Sequence, residues 1–127
     1  MARILLVDDE EELSNTATEY LQQCGYTVLK ARASDEAMQI ARNFDDKISL
    51  LVTDIVMPGG SGRGLVEHMQ EERPETGILV ISGYADDAVR QHGFKEPTAF
   101  LQKPFTLQSL GIKIRTLLDE TKSRVGS

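Results

Sequence analysis

Residues 4–13 read ILLVDDEEEL, an apolar run that passes without a spacer into five consecutive acids at residues 8–12. Short apolar runs that contain β-branched residues are typical of strands covered on both faces. Apolar residues then recur at helical spacing from residue 13 to residue 24, which predicts an amphipathic helix. The stretch therefore predicts a strand-to-helix unit with acids at the carboxyl end of its strand.

The same alternation continues along the whole chain. Further apolar runs lie at residues 26–29, 50–53, 78–81 and 99–101. A helical pattern follows each run, at residues 34–44, near residues 65–69, at residues 85–91 and after Thr106, and Ser34 and Thr106 are suitable helix caps. Five β–α units in sequence predict an α/β fold, a doubly wound (βα)5 sandwich whose five-stranded parallel sheet carries helices on both faces.

The length of 127 residues fits one domain, which we expect over residues 1–120, with a polar, frayed tail over residues 121–127. The net charge of −6 argues against a nucleic-acid binder and against attraction to anionic membranes. The single cysteine, Cys24, lies on the apolar side of the first helical pattern, and we predict a small core residue there. Few thiols, no signal peptide and no long apolar span predict a cytoplasmic location.

Polar side chains follow four of the five predicted strands. The first strand ends in Asp8 and Asp9, the third in Asp54, the fourth in Ser82 and the fifth in Lys103. Ligands of open parallel sheets bind beyond the carboxyl ends of the strands. We therefore expect three carboxylates, one hydroxyl and one ammonium to converge at one edge of the sheet.

Such a concentration of carboxylates suits a divalent cation. Two like charges about 4 Å apart repel by ~4 kcal/mol at an effective dielectric constant near 20, and Mg²⁺ removes that penalty, with Mn²⁺ as an alternative. For Asp8 and Asp9 alone, a solvated loop is an equal alternative, and the polar residues at the other strand ends favour the metal site. Residues 10–12 fall in the first helical turn, where the helix dipole favours acids.

A carboxylate can attack phosphorus and form an acyl phosphate. A divalent cation and a lysine neutralise the charge on the phosphoryl oxygens, and a hydroxyl can donate a hydrogen bond to one of them. His68 and His92 lie in helical patterns away from the strand ends, so we assign neither a role as a base.

Four stretches, LLVDDE, VTDIVMPGGSG, VISGYAD and FLQKPF, resemble in order and spacing those of response-regulator receiver domains. The resemblance covers nearly the whole chain and implies a flavodoxin-like fold with Asp54 as the phosphoacceptor. It implies that Asp9 binds Mg²⁺ directly, that Asp8 acts mainly through water, and that Val56 supplies a backbone carbonyl. Lys103 is then the lysine that pairs with the phosphoryl group.

The resemblance also implies a switch. Ser82 would hydrogen-bond the phosphoryl group, and Phe100 occupies the aromatic switch position, where the family often has a tyrosine with its hydroxyl. A cis peptide bond is implied before Pro104. Phosphorylation would then alter the face formed by the fourth helix, the fifth strand and the fifth helix, and the same face allows a homodimer.

The function implied is a phosphorelay receiver that accepts a phosphoryl group from a sensor histidine kinase or a histidine phosphotransfer domain, rather than a turnover enzyme. The stretches SGYADDAVRQHGF and FLQKPFTLQSLGIKIRTLLD resemble receivers attached to hybrid sensor kinases, which favours a fragment over a stand-alone receiver. Two alternatives stay open. A phosphohydrolase with an aspartyl-phosphate intermediate usually needs a further acid or base and a cap over its site. A pseudo-receiver that never accepts phosphate does not need the complete site.

Overall fold

The computed structural model describes residues 2–54, 56–57, 60–82 and 98–126, with side chains except at residues 56–57, 60–63, 82 and 121–126. Five strands form the main sheet: β1 (Arg3–Val7), β2 (Thr27–Ala31), β3 (Leu50–Asp54), β4 (Gly77–Ser82) and β5 (Ala99–Gln102). The helices of the described residues are α1 (Glu11–Gln23), α2 (Ser34–Asn43), α3 (Gly62–Glu72) and α4 (Leu107–Gly126). A short antiparallel ladder after β3 joins Val56–Met57 to Gly60–Ser61.

The five strands of the main sheet are all parallel, in the order β2-β1-β3-β4-β5. This is the doubly wound flavodoxin-like order, so the predicted fold class is confirmed. The chain moves from β1 to one side for β2 and then crosses to the other side for β3 and the later strands. The carboxyl ends of β1 and β3 therefore meet where the winding direction changes, which is where ligands bind in such sheets.

The sheet buries side chains on both faces, as the continuous apolar runs predict. Along β1, Leu5 and Val7 join one core cluster, whereas Ile4 and Leu6 join a second cluster on the opposite face. Alternate side chains of a strand point to opposite faces, so one run supplies both cores. Helices α2 and α3 contribute buried residues to the first cluster, and α1 and α4 contribute to the second.

Helix α1 ends in a turn that corrects the prediction for Cys24. Gly25 has a φ of 98°, its N–H donates to Gln22 O at 3.0 Å, and the N–H of Tyr26 donates to Leu21 O at 3.1 Å. This is the Schellman pattern, and Gly25 is the residue in the left-handed region that ends the helix. Cys24 is the C-cap residue and is exposed, because the buried stripe of the helix does not continue into the turn.

The starts of two helices test the predicted caps. Helix α2 begins at Ser34 itself, with Ala33 in the N-cap position, so the predicted cap is one residue too late. At α4 the prediction is confirmed: the N–H of Ser109 donates to Thr106 Oγ1 at 3.0 Å, and the N–H of Thr106 donates to Ser109 Oγ at 3.1 Å. These reciprocal bonds satisfy two N–H groups at the helix start.

Helix α4 runs on to Gly126, and the polar, frayed tail over residues 121–127 stays a prediction. Residues 121–125 contain neither proline nor glycine, so no strong helix-ending signal precedes Gly126 in this segment. The domain boundary at residue 120 stays a prediction. The helix predicted at residues 85–91 lies outside the described residues. In the described part of the chain, no helix has the length and apolar character that crossing a membrane requires.

Candidate functional site

Two buried aspartates lie at the carboxyl ends of neighbouring strands. Asp8 directly follows β1, and its N–H donates to Ala31 O at 3.1 Å, which continues the pairing with β2. Asp54 is the last residue of β3. Asp8 is 3% exposed and Asp54 is 7% exposed, whereas Asp9 is exposed. The sheet thus fixes two carboxylates in its core and places a third at the surface.

The three carboxylates predicted as metal ligands do lie together. One carboxylate oxygen from each of Asp8, Asp9 and Asp54 lies within 4.8 Å of the other two. Charges this close repel one another strongly where water is scarce, and an all-oxygen donor set of this kind suits Mg²⁺. The residues therefore fit the predicted divalent cation. Val56 lies two residues after Asp54 in the short ladder, and its carbonyl as a ligand stays a prediction.

The environment of Asp8 opposes its charge. Burial raises the pKa of Asp8 above its ordinary value, and the nearby charges of Asp54 and Glu10 act in the same direction. Two contacts oppose this increase: the Glu10 N–H donates to Asp8 Oδ1 at 2.8 Å, and Lys103 contributes positive charge. An ionised Asp8 is thus held at a cost in folding free energy that a bound cation removes.

Lys103 follows β5 and enters the same cluster. Its Nζ donates to Asp54 Oδ2 at 2.7 Å, and its side chain is one quarter exposed. Burial lowers the pKa of Lys103, but the hydrogen bond and charge of Asp54, with the charges of Asp8 and Glu10, raise it above its ordinary value overall. Lys103 is therefore a stable ammonium beside the candidate phosphoacceptor. The Lys103–Pro104 peptide bond is cis, as the resemblance implied.

The predicted switch residues lie on the adjoining strands. Ser82 is the last residue of β4 and pairs with Gln102 of β5. The structure describes the backbone of Ser82 but not its side chain. Phe100 pairs with Val80 and is half-buried against the core cluster between the sheet and helices α2 and α3. The roles of Ser82 and Phe100 stay predictions. His68 borders a cleft between α2 and α3, and His92 is outside the described residues.

The site includes one charged residue that the sequence interpretation assigned only to the helix dipole. Glu10 occupies the N-cap position of α1 with extended backbone, and its Oε1 lies 3.8 Å from Lys103 Nζ. The adjacency of Glu10 to Asp9 is the only signal in the sequence for this placement. The ion pair with Lys103 depends on how β1 and β5 are arranged in the sheet, which the local pattern does not encode.

Comparisons with known proteins identify sequence and structural relatives of this chain. A family profile described as "Response regulator receiver domain" matches residues 4–115. The sensor kinase CckA of Brucella abortus is 32% identical over 120 residues, which is 94% of this chain. The transcriptional regulatory protein ResD of Bacillus subtilis is 29% identical over 91% of this chain. A response regulator receiver domain protein from Clostridium thermocellum has a similar structure, with a TM-score of 0.86, 28% identity and coverage of 96% of this chain and 98% of that chain.

The curated relatives are longer than this chain. The matched region spans 13% of CckA and 48% of ResD. The region that they share with this chain is therefore one segment of larger proteins.

Proposed function

The chain belongs to the family of response regulator receiver domains of two-component systems, and on that basis we propose that Asp54 accepts a phosphoryl group from a phosphohistidine. The donor is a sensor histidine kinase or a histidine phosphotransfer domain. The observation that carries the proposal is the hydrogen bond of 2.7 Å from Lys103 to Asp54, inside the cluster that Asp54 forms with Asp8 and Asp9.

In the proposed transfer, one carboxylate oxygen of Asp54 forms a bond to phosphorus while the phosphorus–nitrogen bond of the donor breaks. The electron pair of the broken bond stays on the imidazole nitrogen. Lys103 neutralises negative charge on the transferred group, because its ammonium already lies beside Asp54. The Ser82 hydroxyl donates a hydrogen bond to a phosphoryl oxygen. The product is an acyl phosphate on Asp54.

Asp8, Asp9 and Asp54, with the backbone carbonyl of Val56, are the proposed ligands of Mg²⁺ or Mn²⁺. When bound, the ion supplies positive charge that offsets the repulsion among the carboxylates and the phosphoryl oxygens. The burial of Asp8 and Asp54 supports this assignment, since ionised carboxylates in the core are stabilised by such a charge.

The proposed output is a change of packing. Ser82 moves towards the phosphoryl group, and Phe100 turns into the vacated space. The face formed by residues 85–91, β5 and α4 then presents a different surface to a partner or to a second copy of the chain. The two packings are in equilibrium, and phosphorylation shifts that equilibrium only through contacts that exist in one of them.

Phosphoramidate, whose phosphorus–nitrogen bond resembles that of phosphohistidine, tests the proposal. With Mg²⁺ we expect one phosphoryl group on the wild-type chain and none on Asp54→Asn, measured by intact mass. We also expect no labelling in EDTA. Steady turnover of an aryl phosphate, without an accumulating phosphorylated protein, favours the phosphohydrolase alternative instead. A wild-type chain that stays unlabelled favours the pseudo-receiver alternative.

A further inference from the structure

Lys103 lies between two carboxylates rather than beside one. Its Nζ is 2.7 Å from Asp54 Oδ2 on the buried side and 3.8 Å from Glu10 Oε1 on the solvent side. The Asp54 side chain is 10% exposed and the Glu10 side chain is 63% exposed. An ammonium has three N–H donors, so Lys103 can redirect towards either partner without leaving the site.

The carboxylate of Glu10 is not used to cap helix α1. Glu10 has the N-cap position with φ −82° and ψ 99°, and it makes no side-chain cap hydrogen bond. Its backbone is fixed instead, because its N–H donates to Asp8 Oδ1 at 2.8 Å and its C=O accepts from the Ser14 N–H at 2.9 Å. A fixed backbone next to Asp9 keeps the Glu10 side chain at the mouth of the site.

We propose that Glu10 is a positioning residue that acts through Lys103 and slows the phosphorylation of Asp54. This inference rests on the proposed function. When Asp54 becomes an acyl phosphate, Lys103 must redirect its donors to the phosphoryl oxygens. Glu10 competes for the same ammonium and adds a like charge beside the incoming phosphoryl group. The Glu10 carboxylate and Asp54 Oδ2 are no farther apart than the two distances to Lys103 Nζ combined, so this repulsion acts at short range.

The first test compares Glu10→Gln with Glu11→Gln. Glu11 is a matched control, because its side chain is 69% exposed and its Oε2 lies 3.8 Å from Arg32 rather than from Lys103. With acetyl phosphate and Mg²⁺ at low salt, we expect Glu10→Gln to be labelled about two- to fivefold faster than wild type, the range for an exposed ion pair. Glu11→Gln keeps the wild-type rate.

Salt and a conservative variant separate positioning from a structural effect. The Debye length is about 3 Å at about 1 M salt, so the rate difference between Glu10→Gln and wild type disappears there. Glu10→Asp keeps the charge and is labelled more slowly than Glu10→Gln. A packing defect would not respond to salt in this way, because it does not depend on charge.

The side-chain NMR signal of Lys103 gives a second readout that needs neither a phosphodonor nor a metal. We expect Glu10→Gln to shift the Lys103 Nζ resonance and Glu11→Gln to leave it in place. An unchanged Lys103 resonance in Glu10→Gln overturns the ion pair and the inference with it.

The outcomes distinguish the inference from the proposed function. Equal labelling rates for Glu10→Gln and wild type overturn the inference alone, as does the same acceleration in Glu11→Gln, which would reflect net charge. A wild-type chain that acetyl phosphate never labels overturns the proposed function, and the inference falls with it.

Discussion

Lys103 Nζ donates a hydrogen bond to Asp54 Oδ2 at 2.7 Å, although β3, which ends in Asp54, and β5, which precedes Lys103, are not neighbours in the sheet. Strand β4 lies between them, with Ile81 paired to Asp54 on one side and to Leu101 on the other. Lys103 is two residues beyond Leu101, so its side chain crosses the carboxyl end of β4. The hydrogen bond thus ties β5 to β3 over the strand that ends in Ser82.

Removing the ammonium leaves the carboxylates of the cluster without their nearest cation. In EDTA we expect Lys103→Met to lower the free energy of unfolding by about 1–3 kcal/mol, the usual consequence of leaving one polar partner unsatisfied. Urea unfolding followed by circular dichroism measures the change. Methionine keeps a long unbranched side chain, so the loss reports the charge and the hydrogen bond more than packing.

A double-mutant cycle shows whether the stability lost in Lys103→Met comes from the contact with Asp54. In Asp54→Asn, which lacks the charged acceptor, Lys103→Met should lower the free energy of unfolding much less. If the two changes are additive within about 0.5 kcal/mol, the contact with Asp54 is not what stabilises Lys103 in the fold.

Asp8→Asn should raise the free energy of unfolding of the metal-free protein at neutral pH. Burial raises the pKa of Asp8, so the folded state holds the proton of Asp8 more tightly than the unfolded state does. The cost of ionising Asp8 in the folded state therefore develops as the pH rises from its ordinary pKa through the raised pKa of the folded state. Above the raised pKa this cost is fully present and lowers the free energy of unfolding. Asparagine removes the charge and keeps an oxygen for the Glu10 N–H.

Asp9, the exposed neighbour of Asp8, provides the control for this prediction. Asp9→Asn should change the metal-free stability less, because Asp9 is already solvated. Urea unfolding in EDTA compares the two variants. A lower stability of Asp8→Asn than of wild type would show that the hydrogen bond and the charge of Lys103 outweigh the burial of the carboxylate.

Magnesium should stabilise the wild-type chain and much less so Asp9→Ala. A ligand present at 100 times its dissociation constant adds ~2.7 kcal/mol if it binds only the folded state. Thermal unfolding at increasing Mg²⁺ measures this effect, with Glu12→Gln as a control acid in the first turn of α1. A full magnesium response in Asp9→Ala would remove Asp9 from the proposed ligands.

Ser82→Ala should still accept a phosphoryl group at Asp54, but it should not transmit the change of packing from the site to Phe100 and the face beyond it. Amide NMR with and without beryllofluoride, a phosphoryl mimic, measures how far the change extends. In wild type we expect shifts from Asp54 to residues 84–91 and Phe100, and in Ser82→Ala only near Asp54. The complete distant pattern in Ser82→Ala would mean that another residue links the site to the switch.

The sequence predicted the sheet and the helices well because their determinants are local. Thr106 acts through a residue only three positions away, and its predicted role as a helix cap is confirmed. The predicted limits of β2 differ from Thr27–Ala31 because β2 is an edge strand, where polar Lys30 does not interrupt the pairing. Cys24 was misplaced because helical periodicity was carried one residue beyond the last turn of α1.

Much of the candidate site could also be predicted, for a topological reason. The carboxyl ends of parallel strands meet at one edge, so Asp8, Asp54 and Lys103 could be expected together from their positions after strands. The pairing of Glu10 with Lys103 could not, because it depends on where two distant segments place long side chains. Local sequence patterns specify which strand end a residue follows, and the packed sheet sets the distances between side chains.

The most direct test of the account identifies the residue that carries the phosphoryl group. Acetyl phosphate and Mg²⁺ label the wild-type chain, borohydride reduces the acyl phosphate to a homoserine, and peptide mass spectrometry locates it. We expect the modified residue at position 54, and no homoserine anywhere in Asp54→Asn treated in the same way. Homoserine at position 8 or 9 in the wild type, or stoichiometric labelling of Asp54→Asn, would contradict Asp54 as the phosphoacceptor.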